Sequence, residues 1–485
     1  MMANKTITRA FVIAVLAVLA SIVVIPPAPC EGCFSIVVGK EASADGYVIM
    51  AHNEDDTAPQ IVNHHKVPRR QHSPGETVTL LNGGKLEQVE QTWAYIWSEM
   101  PGMLFSDSYI NEWGVSVTSD NCPSREDKPE ITDGGIGYML RRLVAERAKT
   151  ARDGVLLAGR LVERFGYVDS GRTYVICDPD EGWLFCVVNG KHWLAQRVSD
   201  NEVAMVANTY TIRNVDLSDG DRFLASDDIV TYATSRGWYD PGKDGPFDFA
   251  AVYANPMSAS HPSNLGRQRA GLGYVMARPI PPESVLPFSV VPRRKIVAAD
   301  LMVVLRHDNS PAEGPAELGR PICSEATQTS FVAQLRRNVP LDVGIVYWAC
   351  LACPRTSFYI PFHFGISDFP AGFSSESQRP SKSFYDDKVN PPFKVDPLQA
   401  FWTFSNFRDK VGNAPAETIA RMKALAGQVE TKALAGQRGI EDVACRFYTA
   451  DKTAAAQVLA SYSNRIYESS LKAMGELMAE LTEEK

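Results

Sequence analysis

Residues 29–56 read PCEGCFSIVVGKEASADGYVIMAHNEDD, and this stretch decides how the fold begins. Residues 34–38 and 47–51 are rich in β-branched and aromatic side chains, and the turn-forming residues SADG lie between them. The second run ends in the polar residues HNED, and Cys33 stands directly before the first run. The pattern therefore predicts an antiparallel pair of strands with a thiol at its start.

The segment in front of this cysteine, residues 1–32, has the layout of an export signal. Two basic residues precede an apolar run at residues 10–25, and small residues follow it. The run has 16 residues, whereas a helix that spans a membrane needs about 20. We therefore expect residues 1–32 to be removed before Cys33. The mature protein would then be exported, as a secreted or periplasmic protein, with no stable membrane insertion.

The charge of the chain narrows the range of partners. The 485 residues carry a formal net charge of -8, and no basic tract stands ready to displace counterions from phosphates, which argues against a nucleic-acid binder. Basic residues do flank His64, His65 and His72 in NHHKVPRRQH, but there we expect a solvated loop and no metal site. The expected partners are small molecules.

Eight cysteines remain once residues 1–32 are removed. Cys177 and Cys186 flank a predicted hairpin turn, and Cys350 and Cys353 form a CxxC pair. Some cysteines of an exported protein can form disulfides, but in so large a domain we expect most of these to be buried free thiols. A structural zinc site would need a second pair of ligands at matching spacing, which the sequence lacks.

The rest of the chain alternates between sets of strands and helices. Further strand-like runs occur at residues 92–98, 114–119, 173–177, 183–188, 203–207 and 344–349. Helical spacing of apolar residues appears at 137–149 and 154–165. Antiparallel sets of strands with helices between the sets favour a layered α+β fold over a doubly wound sheet. From about residue 396 the composition changes, and helical spacing at 415–437 and 453–484 predicts a helical C-terminal portion.

The common catalytic signatures are missing from the sequence. It contains no HExxH, GxSxG, GxxxxGK[ST] or complete GxGxxG, which argues against zinc peptidases, serine hydrolases and nucleotide-binding enzymes. A cysteine at a mature N-terminus, however, carries its own base, because an α-amino group has a pKa of about 7.7–8.0. If residues 1–32 are removed, the amine of Cys33 can take the proton of its own thiol.

Several blocks of the sequence carry a resemblance to one enzyme family. They are CFSIVVGKEASADGYVIMAHNEDD, YINEWGVSVTSDN, LRRLVAERAKTARDGV, EVAMVANTYTI, YANPMS, RPICSEATQTSFVAQLR and TSFYIPFHFGISDFP. Together they closely resemble the N-terminal-nucleophile (Ntn) cysteine dipeptidases, which include the secernins and are distantly related to bile-salt hydrolases and penicillin V acylases. The resemblance implies an Ntn-hydrolase four-layer αββα sandwich over residues 33–395, a signal peptide or pro-segment at 1–32 and a helical C-terminal extension at 396–485.

The resemblance also implies roles for individual residues. Cys33 resembles the nucleophile, freed at its amino end by processing. Asp55 matches the family acid beside the nucleophile, where a carboxylate can hold the α-ammonium group or position its proton. Asn121 falls where related amidases place an asparagine at the oxyanion. Asn208 resembles a second asparagine of the active site, able to orient the amino group of the nucleophile.

Two arginines and a histidine are less clearly placed by the resemblance. Arg267 or Arg269 would complete the polar cluster, and the spacing does not choose between them; we assign Arg269 to catalysis and Arg267, with Glu54, to the charged ends of a substrate. His52 stands where relatives usually carry an arginine. Either His52 replaces that arginine as a partner of the thiol, which would give a more acidic optimum, or catalysis is weakened in this chain.

The resemblance therefore implies an exported cysteine dipeptidase that hydrolyses dipeptides through a thioester on Cys33. No metal and no organic cofactor is needed for this chemistry, and the expected partner is a small peptide. Two alternatives stay open: an amidase of the same chemistry that acts on N-acyl compounds, and a catalytically weakened binding or scaffold protein. A homo-oligomer is also left open.

Overall fold

The computed structural model describes residues 32–56, 62–80, 82–100, 107–308, 320–373 and 396–483. Within these ranges the strands are β1 (Phe34–Val38), β2 (Val48–Asp55), β3 (Asn63–Val67), β4 (Arg70–Gln71), β5 (Thr77–Thr79), β6 (Lys85–Glu87), β7 (Gln91–Thr92), β8 (Tyr95–Glu99), β9 (Tyr109–Asn111), β10 (Ser116–Asn121), β11 (Tyr167–Cys177), β12 (Gly182–Gly190), β13 (Trp193–Arg197), β14 (Val203–Val206), β15 (Phe223–Ala225), β16 (Ser289–Val290), β17 (Thr327–Leu335), β18 (Ile345–Leu351) and β19 (Ile360–His363). The helices are α1 (Met139–Arg147), α2 (Ala151–Phe165), α3 (Ile229–Ser235), α4 (Phe249–Tyr253), α5 (Pro256–Ala259), α6 (Pro262–Met276), α7 (Ala298–Leu305), α8 (Leu341–Gly344), α9 (Ala400–Val411), α10 (Ala416–Tyr448) and α11 (Lys452–Glu483).

The predicted opening hairpin lies at the centre of the first sheet. The strand order in this sheet is β16-β14-β1-β2-β17-β18-β19, and every pairing is antiparallel. In the hairpin Ser35 pairs with His52. β2 continues to Asp55, past its predicted end at residue 51, because β17 pairs with it along this polar part as well. The polar residues HNED therefore lie within a central strand and not in a turn.

The second sheet has the order β15-β13-β12-β11-β10-β9-β8-β3. The hairpin predicted between Cys177 and Cys186 is present, since β11 and β12 pair across it. The solvated loop expected at His64 and His65 is wrong, because both residues belong to β3, which pairs with β8. His64 is fully buried and contacts the ring of Phe369, and burial lowers the pKa of His64 to about 3, so that its ring is neutral. Aromatic packing from distant segments thus covers residues that look polar in the sequence.

The two sheets pack face to face between layers of helix. In β1 and β2 alternate side chains point to opposite faces. Val37 and Met50 join Val175 and Leu184 of the second sheet in the apolar cluster between the sheets. The outward residues of β1 and β2 pack with α7, while α1 and α2 pack on the far side of the second sheet. The layer order is helix, sheet, sheet, helix, which confirms the predicted αββα sandwich.

The C-terminal helices α10 and α11 join the outer layer over the first sheet. Ala433 and Tyr462 belong to the same apolar cluster as the outward residues of β1 and β2, and the Tyr462 hydroxyl donates a hydrogen bond of 2.6 Å to the carbonyl oxygen of Ala433. α10 runs past its predicted end at residue 437, because Ile440, Ala444 and Tyr448 continue the apolar spacing of every fourth residue. The predicted helical C-terminal portion is therefore confirmed. Across the described ranges, no helix combines the length and the apolar character that crossing a membrane requires.

The cysteines of the described chain are free thiols. Cys33, Cys122, Cys177, Cys186, Cys323, Cys350 and Cys353 are buried, and Cys445 is half-buried. In the β11–β12 hairpin Cys177 pairs with Gly182 and Cys186 pairs with Thr173, so the two flanking cysteines do not face each other. The expectation of mostly buried free thiols holds for these residues, which behave as small apolar side chains.

The buried carboxylate of Glu441 on α10 makes the stability of the protein depend on pH. Glu441 accepts hydrogen bonds from Arg336 and His363. Burial raises the pKa of Glu441, but these two partners outweigh it and lower the pKa from 4.5 to about 2. Because the folded-state pKa lies below the unfolded one, the stabilisation is present above about pH 4.5 and is lost as the pH falls towards about 2. We expect urea unfolding in this window to show a steeper loss of stability for the wild type than for Glu441→Gln.

The matched control is Glu480→Gln, which removes a carboxylate from an exposed ion pair with Arg421. Exposed pairs contribute little to stability, so this variant is expected to follow the wild-type curve. Equal pH dependence in the wild type and Glu441→Gln would contradict the role given to Glu441.

Candidate active site

The hairpin itself brings the polar cluster together. Residues 33, 35 and 37 point into the space between the sheets, and so do residues 48, 50, 52 and 54 of the paired strand. The thiol of Cys33 donates a hydrogen bond of 3.3 Å to Oε2 of Glu54. Nε2 of His52 lies 3.0 Å from the same oxygen. One carboxylate oxygen thus contacts both the thiol and the imidazole, and all three side chains are buried.

Two further acids surround the histidine from the second sheet and its connections. The Ser35 hydroxyl donates a hydrogen bond of 2.5 Å to Asp120 and lies 2.8 Å from Nδ1 of His52. Since the single hydroxyl hydrogen goes to Asp120, Nδ1–H of His52 is the donor to Ser35. On the other side, Nε2 of His52 lies 3.3 Å from Oδ1 of Asp107, which is fully buried.

Burial and these contacts shift the protonation of the cluster. Burial, followed by the charge of Glu54, raises the pKa of the Cys33 thiol to about 12. Burial lowers the pKa of His52, but its hydrogen bonds to Asp107, Cys33 and Glu54 outweigh this and hold the pKa well above 6.5. Burial also raises the pKa of Asp120 to about 6. While Cys33 remains an internal residue, its thiol is therefore protonated at neutral pH and is a poor nucleophile.

The residue before the cysteine is tightly enclosed. The carbonyl oxygen of Gly32 accepts hydrogen bonds of 2.5 Å from Arg267 and 2.9 Å from Arg320. Arg320 also forms an ion pair with Asp55. A Cβ atom at position 32 would lie only 2.0 Å from Oδ1 of Asn208, so the space accommodates a glycine and no larger residue without movement of Asn208.

Asn208 is held in an uncommon backbone conformation. Its φ angle of 53° lies in the left-handed region, which asparagine tolerates better than most residues do. Its side-chain oxygen accepts a hydrogen bond of 2.8 Å from Arg267, and its amide nitrogen donates one of 2.9 Å to the carbonyl oxygen of Asn121. Such a conformation at a polar cluster is typical of functional positions, where the surroundings determine the backbone.

The structure places most of the expected site residues together, with two changes of position. Cys33, His52, Glu54, Asp55, Asn208 and Arg267 lie in or beside the cluster. The acid that contacts the thiol is Glu54 and not Asp55, because Asp55 points to the opposite face of β2. Only the main chain of Asn121 reaches the cluster, whereas its exposed side chain accepts a hydrogen bond from Ser170.

Arg269 does not join the cluster. It donates a hydrogen bond of 2.7 Å to the carbonyl oxygen of Pro282, whereas Arg267 contacts the carbonyl oxygens of both Gly32 and Cys33. Both arginines lie on α6, and residues two positions apart on a helix point in different directions. Once Arg267 faces the cysteine, Arg269 therefore faces away, so Arg267 and not Arg269 is the arginine that joins the cluster.

Four residues of the cluster were not anticipated from the sequence: Ser35, Asp107, Asp120 and Arg320. A signal existed for Ser35, because it lies two positions after Cys33 in a strand and so shares its face. Arg320 begins the block RPICSEATQTS, but nothing in that block indicates that it reaches Asp55. Asp107 and Asp120 come from the second sheet and its connections, so only the packing of the two sheets brings them to His52.

Comparison with known proteins assigns the class. The sequence model of peptidase family C69 matches residues 32–388, well over half of the chain, and the αββα sandwich with a buried thiol at its central hairpin is then that of a peptide hydrolase. The chain belongs to peptidase family C69. The resemblance found in the sequence blocks is therefore confirmed at the level of the family.

Curated relatives align over most of the chain. A "Probable dipeptidase" of Salmonella dublin is 27% identical over 364 residues, which cover 70% of this chain and 82% of the relative. A "Probable dipeptidase" of Latilactobacillus sakei is 26% identical over 438 residues, which cover 85% of this chain and 89% of the relative.

Solved structures of two amidases also align. Penicillin V acylase from Agrobacterium tumefaciens is 13% identical with a TM-score of 0.34, covering 71% of this chain and 88% of the acylase. A mutant of conjugated bile acid hydrolase from Clostridium perfringens is 12% identical with a TM-score of 0.36, covering 66% of this chain and 89% of the hydrolase. TM-scores this low support no statement about function. The layer order of this chain is established by the strand pairing described above.

Proposed function

We propose that this chain is an exported dipeptidase in which Cys33, freed at its amino end by removal of residues 1–32, is the nucleophile. The observation that carries the proposal is the position of Gly32. Its carbonyl oxygen accepts hydrogen bonds from the guanidinium groups of Arg267 and Arg320, in the residue that directly precedes Cys33. Removal of Gly32 exposes an amine, a thiol and two arginine side chains in one place.

The proposed mechanism uses the new amino group as the base. The thiol has a pKa raised to about 12 by burial and by Glu54, so it needs a partner that takes its proton. The α-amine takes this proton as the sulfur attacks the scissile carbonyl carbon, and it then donates the proton to the leaving amine. Water activated by the same amine hydrolyses the thioester and restores the thiol.

The groups around Gly32 also supply the polar contacts that such a reaction needs. Asn208 lies against Gly32 and is fixed by Arg267 and by the main chain of Asn121, so it is placed to orient the amine of Cys33. Asp55 forms an ion pair with Arg320, which also contacts the carbonyl oxygen of Gly32. Arg267 donates hydrogen bonds to two carbonyl oxygens and is the first choice for a donor to the oxyanion, an effect worth roughly 3–4 kcal/mol per donor.

The charge of Arg320 and the space vacated by Gly32 support specificity for dipeptides. A dipeptide carries a carboxylate close to its scissile bond, and the volume vacated by Gly32 lies against Arg320. Loss of Gly32 frees Nη1 of Arg320 for a charge-assisted hydrogen bond to that carboxylate, while Nη2 keeps its ion pair with Asp55. The names of the curated relatives agree with this substrate class. Hydrolysis of N-acyl compounds by the same chemistry remains the second candidate, and product analysis distinguishes it: cleavage of acyl amides with dipeptides left intact would reverse the order.

The experiment that tests the proposal is N-terminal sequencing of the exported protein, combined with its intact mass and a dipeptide assay. The expected result is a chain that begins at Cys33 and releases free amino acids from dipeptides. An active protein that begins at Ala28 or Cys30 would contradict the proposed nucleophile. A chain that begins at Cys33 without turnover of dipeptides or acyl amides would favour a binding protein.

Arg320 provides a test of how the substrate is recognised. We expect Arg320→Gln to lower kcat/KM for dipeptides about 10- to 100-fold, because a charge-assisted hydrogen bond contributes about 1.5–3 kcal/mol. The matched substrate is the same dipeptide with a C-terminal amide in place of the carboxylate, for which wild type and variant should differ little. An equal loss for both substrates would mean that Arg320 does not bind the carboxylate.

A further inference from the structure

The cluster around Cys33 has a property that peptide hydrolysis does not require. Sγ of Cys33, Nε2 of His52 and one carboxylate oxygen of Glu54 all lie within 4.8 Å of one another, and all three residues are buried. The measured separations are 3.3 Å from sulfur to Oε2 and 3.0 Å from Nε2 to Oε2. Tetrahedral Zn²⁺ with ordinary bond lengths separates its ligand atoms by roughly 3.3–3.6 Å. The two measured pairs therefore need to move apart by only a few tenths of an ångström to hold one ion.

A further acid, Asp107, contacts the same histidine. The Asp107 side chain is 0% exposed, and its Oδ1 lies 3.3 Å from Nε2 of His52. Neither carboxylate oxygen of Asp107 has a hydrogen bond of good geometry among the residues that the structure describes. The buried Arg141 donates a hydrogen bond of 2.8 Å to the carbonyl oxygen of Asp107, so a cationic side chain already lies near this acid. The ligand set is therefore one thiolate, one imidazole and one carboxylate, and Asp107 is an outer acid beside the imidazole.

The histidine is oriented as metal-binding histidines are. Its Nδ1–H donates to Ser35, and Ser35 donates to Asp120, so the chain ends on a carboxylate. In metal sites the second ring nitrogen commonly donates to such an outer group, which fixes the tautomer and leaves the other nitrogen with its lone pair. In neutral His52 the lone pair is thus on Nε2, the atom that faces Cys33, Glu54 and Asp107.

We propose that Cys33, His52 and Glu54, with Asp107 as an outer acid beside His52, form a site for one thiophilic divalent cation of the Zn²⁺ type, and that the bound ion reversibly blocks the nucleophile. On binding, the ion forms bonds to sulfur, to Nε2 and to carboxylate oxygens, and the protons held by the thiol and by Nε2 pass to the solvent. No electrons are transferred. The blocking role rests on the proposed function, because it assumes that Cys33 is the nucleophile, whereas the binding site itself does not.

The proposed site depends on the type of residue at position 52. An arginine there cannot be deprotonated in a protein and so cannot coordinate a metal ion. Histidine is the commonest metal ligand among side chains, and it lies here between a thiol and two acids. His52→Arg is therefore the variant that tests the proposed site.

Direct binding tests the site on the processed protein, with the metal alone as the probe. Co²⁺ reports the ligand set, because a cobalt–thiolate bond gives a charge-transfer absorption band in the near ultraviolet, and Zn²⁺ should displace it at one equivalent. We expect His52→Arg to weaken Zn²⁺ binding by at least roughly 100-fold, and Asp107→Asn to weaken it roughly 10- to 100-fold. The matched control is Cys445→Ser, which removes a half-buried thiol on α10 and should bind like the wild type.

A measurement on the wild type alone guards against variants that fail to fold. Bound Zn²⁺ should protect Cys33 from alkylation by iodoacetamide, and peptide mapping should locate the protected residue. Absence of one-equivalent binding, absence of the thiolate band, or unchanged affinity in correctly folded His52→Arg would each overturn the proposed site.

An activity assay then separates the site from the proposed function. Zn²⁺ should inhibit dipeptide hydrolysis in the wild type, a chelator should restore it, and His52→Arg should need at least roughly 100-fold more Zn²⁺ for the same fractional inhibition. Zn²⁺ binding in a protein that hydrolyses no dipeptide would support the proposed metal site and refute the proposed dipeptidase activity. If Zn²⁺ neither binds at the cluster nor affects hydrolysis, the proposed metal site is refuted and the proposed dipeptidase activity is supported.

Discussion

A chain that keeps Gly32 in front of Cys33 is expected to hydrolyse dipeptides roughly 10²- to 10⁴-fold more slowly than a chain that begins at Cys33. The amide nitrogen of an internal Cys33 cannot accept a proton, and the thiol has a pKa raised to about 12 by burial and by Glu54. Gly32 also occupies the space between Arg267 and Arg320 that we assign to the substrate. The expected loss of activity therefore has two causes: the base is missing, and the substrate site is blocked.

The comparison requires two chains that differ by one residue. A cleavable leader in place of residues 1–32 yields either Cys33 or Gly32 as the first residue, and intact mass identifies each product. Cys33→Ala with the same N-terminus is the reference for loss of the nucleophile and should lower activity by about 10⁴-fold or more. A chain that retains Gly32 by mass and is as active as the Cys33 chain would refute the mechanism. If the Gly32 chain instead shortens itself, the gain in activity should follow the change in mass.

The second large effect is expected on stability, because Glu430→Ala should destabilise the protein by about 3–5 kcal/mol. Arg306 follows α7 and donates to both carboxylate oxygens of Glu430, with one distance of 2.7 Å. The main-chain nitrogen of Tyr359 donates to the same carboxylate at 2.8 Å. Both charged side chains are buried, so truncation of the acid leaves the arginine charge without its counter-ion in a nonpolar environment.

Urea unfolding of three variants isolates this effect. Glu476→Ala removes one partner of an exposed pair with Lys472 on α11 and should change the free energy of unfolding by less than about 0.5 kcal/mol. The double variant Arg306→Met/Glu430→Leu removes both charges and should recover most of the loss, because a buried ion pair replaced by apolar groups is often close to neutral in stability. A loss below about 1 kcal/mol in Glu430→Ala would mean that the pair is solvated in the folded protein.

The elements that the sequence predicted well are those set by local patterns. β1 has its predicted bounds, because five apolar or small residues between turn-forming residues leave little choice of structure. β2 was predicted too short because its polar end, HNED, looks like a turn unless β17 is known to pair with it. His64 was misjudged for a similar reason, since the rings that bury it come from residues about three hundred positions away.

The residues of the candidate site also divide into those that local patterns predict and those that only packing brings together. The resemblance found Cys33, and strand alternation puts Glu54 on the same face as His52, but the sequence could not show that Glu54 and not Asp55 contacts the thiol. The choice between Arg267 and Arg269 depended on the rotation of α6 against the first sheet, which is set by packing and not by spacing. Asp107 and Asp120 belong to the second sheet and its connections, so their approach to His52 is a property of the whole sandwich.

The central hairpin limits how the gene for this protein can change. Glu54 and Asp55 are neighbours, yet one contacts the thiol between the sheets and the other forms an ion pair with Arg320 on the opposite face. Point mutations can exchange the residue at position 52 while every other side chain keeps its direction. Loss or gain of a single codon between Gly46 and His52 would instead send each of these side chains to the wrong face at once. Substitutions in this segment should therefore be found in functional descendants, whereas changes of its length should not.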